Sequence, residues 1–282
     1  MILVDFSAIA IGNVVSSGAA LEQSVIRHMI LNSIKMYRKK FGAKYGEIVI
    51  CCDKGNWRKR VFSNYKIRRS IGRDESNIDW DKAFELINTV LEEIREHFPY
   101  KVLDIQGCEG DDIIGVMAEY TNEFGNYEEI MIVSGDKDFA QLQKFPNIAQ
   151  FSTVTKKFIR EKDPHKFLFQ HICKGDGSDD VPNIMSPDDI FLQEGVRQNV
   201  MSQKKIDEWY KHPDLRKAMG EDTYRNYIRN KKMIDLSETP QELKDAVINS
   251  FENQPVVPAS KVMPYFIKFR CRHLLEELNS FI

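Results

Sequence analysis

The chain has 282 residues, with 40 Lys and Arg against 42 Asp and Glu, a formal net charge of −2 and 42% hydrophobic residues. This length and apolar fraction predict one large or two modest globular domains and exclude a disordered or fibrous protein. No apolar run reaches the ~18–20 residues that cross a bilayer, and the sequence starts with an apolar strand rather than a basic leader segment, so we expect a cytoplasmic protein without a membrane partner.

The first half of the chain alternates short apolar strands with amphipathic helices. The predicted strands are 2–4, ending at Asp5, then 48–52, 101–105 and 130–133. The predicted helices are 21–40, 80–98 and 110–124, whereas residues 6–10 are predicted as a loop. Strands that are apolar throughout and alternate with helices predict an α/β fold with a mostly parallel central sheet covered by helices on both faces.

Beyond residue 174 the periodic segments are all helical. They cover residues 204–210, 223–232, 241–251 and 264–278. We therefore predict an α/β domain over residues 1–173 and a smaller all-helical region over 174–282 that packs on it. The apolar spacing of the last segment favours packing in the core, with partner binding as the alternative.

Acidic residues follow the ends of the predicted strands and open one of the predicted helices. They are Asp5, Asp53, Glu109, Asp111, Asp112, Asp136 and Asp138. Each alone would suit a turn or a helix cap. However, the carboxyl ends of parallel strands meet at one edge of the sheet, and clustered carboxylates stay ionised only beside cations. With the further run at 175–180, the set predicts a site for two Mg²⁺ or Mn²⁺ ions.

A basic segment with interleaved aromatic residues follows Asp53, from Trp57 to Arg69. Such a segment suits phosphate contact and base stacking, and a solvated surface is the alternative. Beside an acidic metal edge, its cations could hold a phosphodiester and balance charge in the transition state.

Other chemistries lack their sequence signals. The six histidines form no His-x-His or His-Glu-x-x-His pattern, so we do not expect a zinc or histidine site. Nucleotide-binding glycine loops and the serine hydrolase motif are also missing from the sequence. Five cysteines without a Cys-x-x-Cys pair predict reduced thiols, with Cys51 and Cys52 buried in a strand.

Five motifs occur in order: Val4-Asp5-Phe6-Ser7, Asp53 with Trp57-Arg58 and Tyr65-Lys66, Glu109-Gly110-Asp111-Asp112, Ser134 to Phe139, and Gly175 to Pro182. Together they resemble the flap endonuclease family of 5′-nucleases, in the order and spacing of its T-even bacteriophage members with ribonuclease H activity. A similar C-terminal segment extends the resemblance over nearly the whole chain.

The resemblance implies a PIN-like nuclease domain whose acids hold two divalent metals. The implied metal ligands are Asp5, Asp53, Glu109, Asp111, Asp136, Asp138, Asp176 and Asp179, with Asp112 and Asp180 behind them. It further implies that Arg58 and Lys66 contact the scissile phosphate from a basic arch over about 54–79, with a mobile part over 66–77. The implied nucleic-acid contacts are Trp57, Lys59, Arg60, Tyr65, Arg68 and Arg69. The helical region would contain a helix-turn-helix module that grips duplex backbone.

Two departures from the family pattern stand out. Gly110 replaces the usual Ala of Glu-Ala-Asp-Asp, which a helix start tolerates. Residues 185–189 replace a glycine-rich hairpin ending in Lys, which changes the expected duplex contacts.

The expected function is that of a Mg²⁺-dependent, structure-specific 5′-to-3′ exonuclease and flap endonuclease acting on RNA–DNA hybrids or DNA duplexes. We expect it to remove RNA primers in phage DNA replication, with a single-strand-binding protein or a clamp as candidate partners. One alternative is a non-catalytic nucleic-acid-binding protein with structural metals. Another is a phosphatase of a different α/β fold, but it would need Asp-x-Asp where this chain has Asp5-Phe6-Ser7.

Overall fold

A computed structural model gives the fold and describes residues 1–18, 21–69, 73, 76–123 and 127–282. The strands within these ranges are β1 (Ile2–Asp5), β2 (Ile48–Cys51), β3 (Lys101–Leu103), β4 (Ile130–Val133), β5 (Ile148–Phe151) and β6 (Phe158–Ile159). They form one sheet in the order β3-β2-β1-β4-β5-β6, in which every neighbouring pair is parallel except β5 and β6. The predicted mostly parallel sheet is confirmed.

Helices follow the strands and then form the C-terminal region. Those up to residue 174 are α1 (Phe6–Ser17), α2 (Gln23–Tyr45), α3 (Arg58–Val61), α4 (Trp80–His97), α5 (Gly110–Glu123) and α6 (Pro164–Lys174). The later ones are α7 (Gln203–Tyr210), α8 (Leu215–Met219), α9 (Glu221–Ile234), α10 (Gln241–Asn253), α11 (Val262–Lys268) and α12 (Arg272–Leu275). Short 3₁₀ helices cover Lys137–Lys144, Ile190–Leu192, Leu236–Glu238, Ala259–Lys261 and Leu278–Ser280. None of the described helices is long and apolar enough to cross a bilayer.

The sheet has an apolar core on each face because its strands carry apolar residues on both sides. Ile2 and Val4 of β1 pack with α1, α2, α4 and α11, whereas Leu3 packs with α5 and α10. Helices cover both faces of the sheet, as predicted, and the C-terminal region contributes α11 to one face and α10 to the other. A third core joins α6 to α7, α8 and α9, and Phe62 and Tyr65 of the basic segment belong to it.

The prediction of a loop after the first strand is wrong. Residues 6–10 begin α1, because the Asp5 carboxylate accepts a hydrogen bond from the Ala8 N–H at 3.0 Å and caps the helix. Phe6, Ile9 and Val14 are buried at helical spacing. The same carboxylate thus ends a strand and starts a helix.

The predicted helix over 264–278 is instead divided into α11, α12 and a 3₁₀ turn. The break falls at Arg270, which has a left-handed backbone (φ 53°). Its predicted place in the core is confirmed, since Phe266 and Leu274 are buried. The short strands β5 and β6 and helix α6 were not predicted. The described cysteines are free thiols, and Cys51 and Cys52 are buried, as predicted.

Candidate active site at the carboxyl edge of the sheet

The strand order reverses between β1 and β4, and acids lie at the carboxyl ends of both strands. Such a reversal opens a crevice at the sheet edge where ligands bind in α/β proteins. Ser134 connects the two ends: its hydroxyl donates to Asp5 Oδ2 at 2.8 Å and accepts from the Asp136 N–H at 3.1 Å. Asp5 and Asp136 therefore belong to one site.

Asp53 joins the end of β2 to two helix starts. Its oxygens accept a hydrogen bond from the Ser7 hydroxyl at 2.7 Å and one from the Gly110 N–H at 2.6 Å. The first turn of α5, with Glu109 and Asp111, is thereby fixed at the same edge.

These carboxylates are buried and lie close enough to raise one another's pKa values. Burial raises the pKa of Asp5 to about 6, and the charges of Asp53 and Asp136 contribute to the rise. Burial also raises the pKa of Asp111 well above its ordinary value; Asp5, Asp136 and Glu109 add to this rise, and Lys66 opposes it. These side chains cannot all be ionised without added positive charge.

Asp138 extends the cluster to the loop that follows α6. Burial raises its pKa to about 7; the charges of Asp136, Asp176 and Asp179 raise it, and His171 lowers it. The structure thus brings together all the acids that the resemblance implied as ligands. These eight residues, called the acidic edge below, are Asp5, Asp53, Glu109, Asp111, Asp136, Asp138, Asp176 and Asp179.

The loop after α6 depends on Gly175. Its backbone is left-handed (φ 70°), and a Cβ there would lie 2.3 Å from the Val181 carbonyl oxygen. Asp176 and Val181 exchange two backbone hydrogen bonds of 2.8 Å, which close the loop. Burial alone would raise the pKa of Asp176, but hydrogen bonds from His171, Ser178 and Lys137 lower it below its ordinary value.

The basic segment lies across the acidic edge instead of beside it. Lys66 Nζ is 2.5 Å from Glu109 Oε1 and 3.6 Å from Asp179 Oδ2, and Arg69 Nη2 is 2.5 Å from Asp179 Oδ1. Burial alone would lower the pKa of Lys66, but Asp179 and Glu109 raise it, so the ammonium stays charged. Two predicted nucleic-acid cations therefore neutralise predicted metal ligands in this structure.

Arg58 occupies a different position from the one expected of a phosphate contact. It is only 1% exposed; Nη1 lies 2.8 Å from Asp112 Oδ1 and 3.3 Å from Glu109 Oε2, and Nε donates to the Met233 carbonyl. The expectation that Arg58 touches the scissile phosphate is corrected, because protein atoms surround its guanidinium. It fixes Glu109 and Asp112 and ties them to α9.

The two aromatic residues expected to stack on bases are also buried. The Trp57 indole N–H donates to Asp112 Oδ1 at 3.2 Å, and the Tyr65 hydroxyl bonds to Glu109 and Asp179 at 3.1 and 3.0 Å. Their rings are covered by protein, so they do not offer stacking faces. The exposed Lys and Arg residues of the basic segment are Lys59, Arg60, Arg68 and Arg69. Part of the expected arch, residues 70–72 and 74–75, lies outside the described residues.

Asp112 and Asp180 support the site from behind. Asp112 is fully buried and accepts from the Glu109 N–H at 3.0 Å and the Thr239 hydroxyl at 3.0 Å, in addition to Trp57. Asp180 accepts from the Arg68 N–H at 2.8 Å and pairs with its guanidinium.

His171 is the site residue that the sequence analysis missed. It is 7% exposed at the end of α6, with Nε2 3.2 Å from Asp176 Oδ2 and Nδ1 3.3 Å from Asp138 Oδ1. One donor atom from each of these three residues lies within 4.8 Å of the others, close enough to hold a metal ion. Known histidine motifs place two histidines close together in sequence, whereas the sequence signal here is a single histidine five residues before Asp176.

The chain matches two known families over adjoining ranges. Residues 11–168 match the family described as 5′-3′ exonuclease, N-terminal resolvase-like domain, and residues 164–281 match the family described as T4 RNase H, C terminal. The boundary falls near the end of the sheet domain.

Similarity to individual proteins supports the two family matches. Ribonuclease H of Enterobacteria phage T4 is 32% identical over 291 residues, which cover 99% of this chain and 95% of that protein. A 5′-3′ exonuclease of Buchnera aphidicola subsp. Schizaphis graminum is 33% identical over 153 residues, covering 52% of this chain and 50% of that protein. The flap endonuclease of bacteriophage T5, solved with DNA and metal ions, superposes with a TM-score of 0.65 at 14% identity, covering 89% of this chain and 97% of that one. The resemblance predicted from the five motifs is confirmed.

Proposed function

The chain belongs to the 5′-3′ exonuclease family and is a nuclease that hydrolyses phosphodiesters, and we propose that it acts as a Mg²⁺-dependent, structure-specific 5′-to-3′ exonuclease and flap endonuclease. The observation that carries this proposal is the convergence of eight carboxylates at one sheet edge, several with raised pKa values. Their charge calls for cations at that edge.

The donor atoms suit hard divalent ions. Carboxylate oxygens are the ligands that Mg²⁺ and Mn²⁺ prefer, and the buried Asp138 Oδ1 has no hydrogen-bond partner among the described residues. We propose two Mg²⁺ ions, one near Asp5, Asp53 and Asp111 and one near Asp138 and Asp179. Bound there, divalent ions supply the Lewis acidity and charge neutralisation for an in-line displacement at phosphorus.

The residues of the chain itself would position the substrate. Lys66 and Arg69 now neutralise Glu109 and Asp179. When divalent ions take over that neutralisation, these two cations become available to contact the phosphate next to the scissile bond. Arg58 would act without touching the substrate, by fixing Glu109 through a buried ion pair.

Nucleic-acid binding would extend from the basic arch to the helical region. Lys59 and Arg60 are exposed on α3, and Lys204, Lys205 and Lys217 are exposed on α7 and α8. Such cations bind phosphates without reading sequence. We propose that residues 1–173 form the nuclease domain. Residues 174–282 would form a duplex-binding helical region that contains a helix-turn-helix module.

The biological setting follows from the 32% identical relative, the ribonuclease H of phage T4. We propose removal of RNA primers during phage DNA replication in the cytoplasm of the host cell, on RNA–DNA hybrids, DNA duplexes and 5′-flaps. A single-strand-binding protein or a clamp remains a candidate partner.

A panel of 5′-flap, nicked, blunt and RNA–DNA hybrid substrates tests this function. We expect cleavage from the 5′ side in Mg²⁺ and none in EDTA, leaving 5′-phosphorylated products. Binding of the flap without cleavage under every metal condition would instead favour the non-catalytic nucleic-acid-binding protein.

A further inference from the structure

We propose that His171 and Asp138 form a binding site for a borderline divalent cation such as Zn²⁺, with Asp176 holding the second ring nitrogen. The inference rests on the proposed function in that both use the acidic edge. It adds a nitrogen donor, and with it a class of metal, to a site that the sequence predicted to be made of oxygen alone.

Two buried atoms at this site have no hydrogen-bond partner among the described residues. Within the described part of the chain, His171 Nδ1 and Asp138 Oδ1 are both buried and both lack one, although they face each other at 3.3 Å. Two buried polar atoms left in this way carry a desolvation penalty. A cation bound to both would remove that penalty.

The other ring nitrogen of His171 is held by a carboxylate. Nε2 lies 3.2 Å from Asp176 Oδ2, a hydrogen-bond distance. With the proton on Nε2, the ring donates to Asp176 and leaves Nδ1 unprotonated, 3.3 Å from Asp138 Oδ1. A histidine that binds a metal through one nitrogen and donates the other N–H to a carboxylate is the usual arrangement in zinc proteins.

The distance between His171 Nδ1 and Asp138 Oδ1 fits a bound metal ion. An ion with ligand bonds of ~2.0–2.1 Å in tetrahedral geometry separates neighbouring ligand atoms by about 3.3 Å. The observed distance between Nδ1 and Oδ1 is 3.3 Å. The pair therefore matches one edge of such a coordination shell without rearrangement.

The surrounding charges favour a cation of this kind. Asp136 and Asp179 raise the pKa of Asp138 along with Asp176, so the site lies in a negative field. The Lys137 ammonium faces the same site: its Nζ pairs with Asp176 Oδ2 at 2.9 Å, and its side chain is 57% exposed and free to leave. An imidazole ligand favours Zn²⁺ over Mg²⁺. Zn²⁺ should therefore displace Mg²⁺ from this half of the edge.

Direct metal binding tests the inference without relying on cleavage. Zn²⁺ affinity is measured by chelator competition on the full chain and on His171→Gln, with His165→Gln, an exposed histidine on the same helix, as the matched control. We expect His171→Gln to lose at least ~10-fold in Zn²⁺ affinity, with little change in Mg²⁺ affinity, and His165→Gln to match the parent. Equal Zn²⁺ affinity in His171→Gln and the parent would overturn the proposal.

Pulsed EPR of bound Mn²⁺ supplies a second readout in the same proteins. We expect a directly coordinated nitrogen in the parent and in His165→Gln, and its loss in His171→Gln. A parent spectrum without nitrogen coupling would also overturn the site. Circular dichroism confirms folding, and Asp138→Asn, which removes the carboxylate charge and keeps the ring, should lose Zn²⁺ affinity as well. Mg²⁺-dependent flap cleavage by the parent reports on the proposed function independently of all these results.

Discussion

Lys66 Nζ lies 2.5 Å from Glu109 Oε1, so a cation of the basic segment is inserted into the acidic edge itself. The sequence suggested two separate surfaces of opposite charge whose sum is the net charge of −2. In the fold they interlock, and the same carboxylates are available either to Lys66 and Arg69 or to divalent ions. We propose that this exchange would couple metal binding to the release of Lys66 and Arg69 for the substrate.

Replacing Lys66 should therefore affect turnover more than metal binding. We expect Lys66→Met to lower the single-turnover cleavage rate of a saturating 5′-flap about 100-fold, the usual effect of removing one electrostatic contact to a transition state. Lys59→Met, an exposed position in the same segment, should weaken binding in a salt-dependent way and keep the rate at saturation. An unchanged rate in Lys66→Met would exclude a role at the phosphate.

Arg58 should matter for stability because its ion pairs are buried. We expect Arg58→Met to lower the free energy of unfolding by ~3–5 kcal/mol, since Asp112 and Glu109 lose their buried partner. Arg60→Met on the same helix is exposed and should change it by less than about 0.5 kcal/mol. Denaturant unfolding of both variants is the measurement, and equal stabilities would contradict the buried network.

Gly175 should be required for the loop that carries Asp176 and Asp179. Gly175→Ala places a methyl group 2.3 Å from a carbonyl oxygen and strains a left-handed backbone, so we expect Mg²⁺-dependent cleavage to fall by at least ~10-fold through displacement of both carboxylates. Gly195 is also left-handed (φ 73°), but a Cβ at that position would meet no atom within 4 Å. Gly195→Ala should cost only backbone strain, ~1 kcal/mol, and leave cleavage intact. Equal cleavage by the two variants would contradict the steric argument.

The crowded carboxylates also predict how the metal-free protein responds to pH. Asp5 and Asp138 have folded-state pKa values of about 6 and about 7, above the ordinary 3.8 that applies when the chain is unfolded. The folded state thus binds more protons, and the free energy of unfolding should fall by several kcal/mol, at ~1.4 kcal/mol for each unit of pKa difference, as pH rises from about 4 to 7.

Thermal unfolding in EDTA at pH 5 and pH 8 measures this effect. We expect the lower melting temperature at pH 8 and its recovery when Mg²⁺ replaces EDTA. A metal-free protein that is more stable at pH 8 would contradict the raised pKa values of Asp5 and Asp138.

The sequence predicted the sheet and the acids well because both depend on local patterns. Apolar runs such as Ile130–Val133 identify buried strands, and the parallel topology carries the acids that follow them to one edge. Local patterns did not predict the packing of residues that are far apart in the sequence. The burial of Tyr65 follows from the core that it shares with α6 and α9, and that contact has no local signal.

His171 illustrates the same limit in the site. Its partners Asp138 and Asp176 stand 33 residues before and five residues after it, and only the packing of α6 on the turn after β4 brings the three together. Residues 6–10 were mispredicted for a related reason, since Asp5 is at once the last residue of β1 and the cap of α1.

The most direct test of the central claim is the single-turnover cleavage of a 5′-flap by Asp136→Asn in Mg²⁺. Asn can still accept the hydrogen bond from the Asp138 N–H, so the fold should persist while one charge of the metal edge is lost. Asp163→Asn, which changes a helix cap away from the site, is the matched control, and flap binding is measured in Ca²⁺. We expect Asp136→Asn to bind the flap like the parent and to cleave it at least ~1,000-fold more slowly, with Asp163→Asn unchanged. Cleavage by Asp136→Asn at the parent rate would contradict the assignment of the acidic edge as the metal-dependent active site.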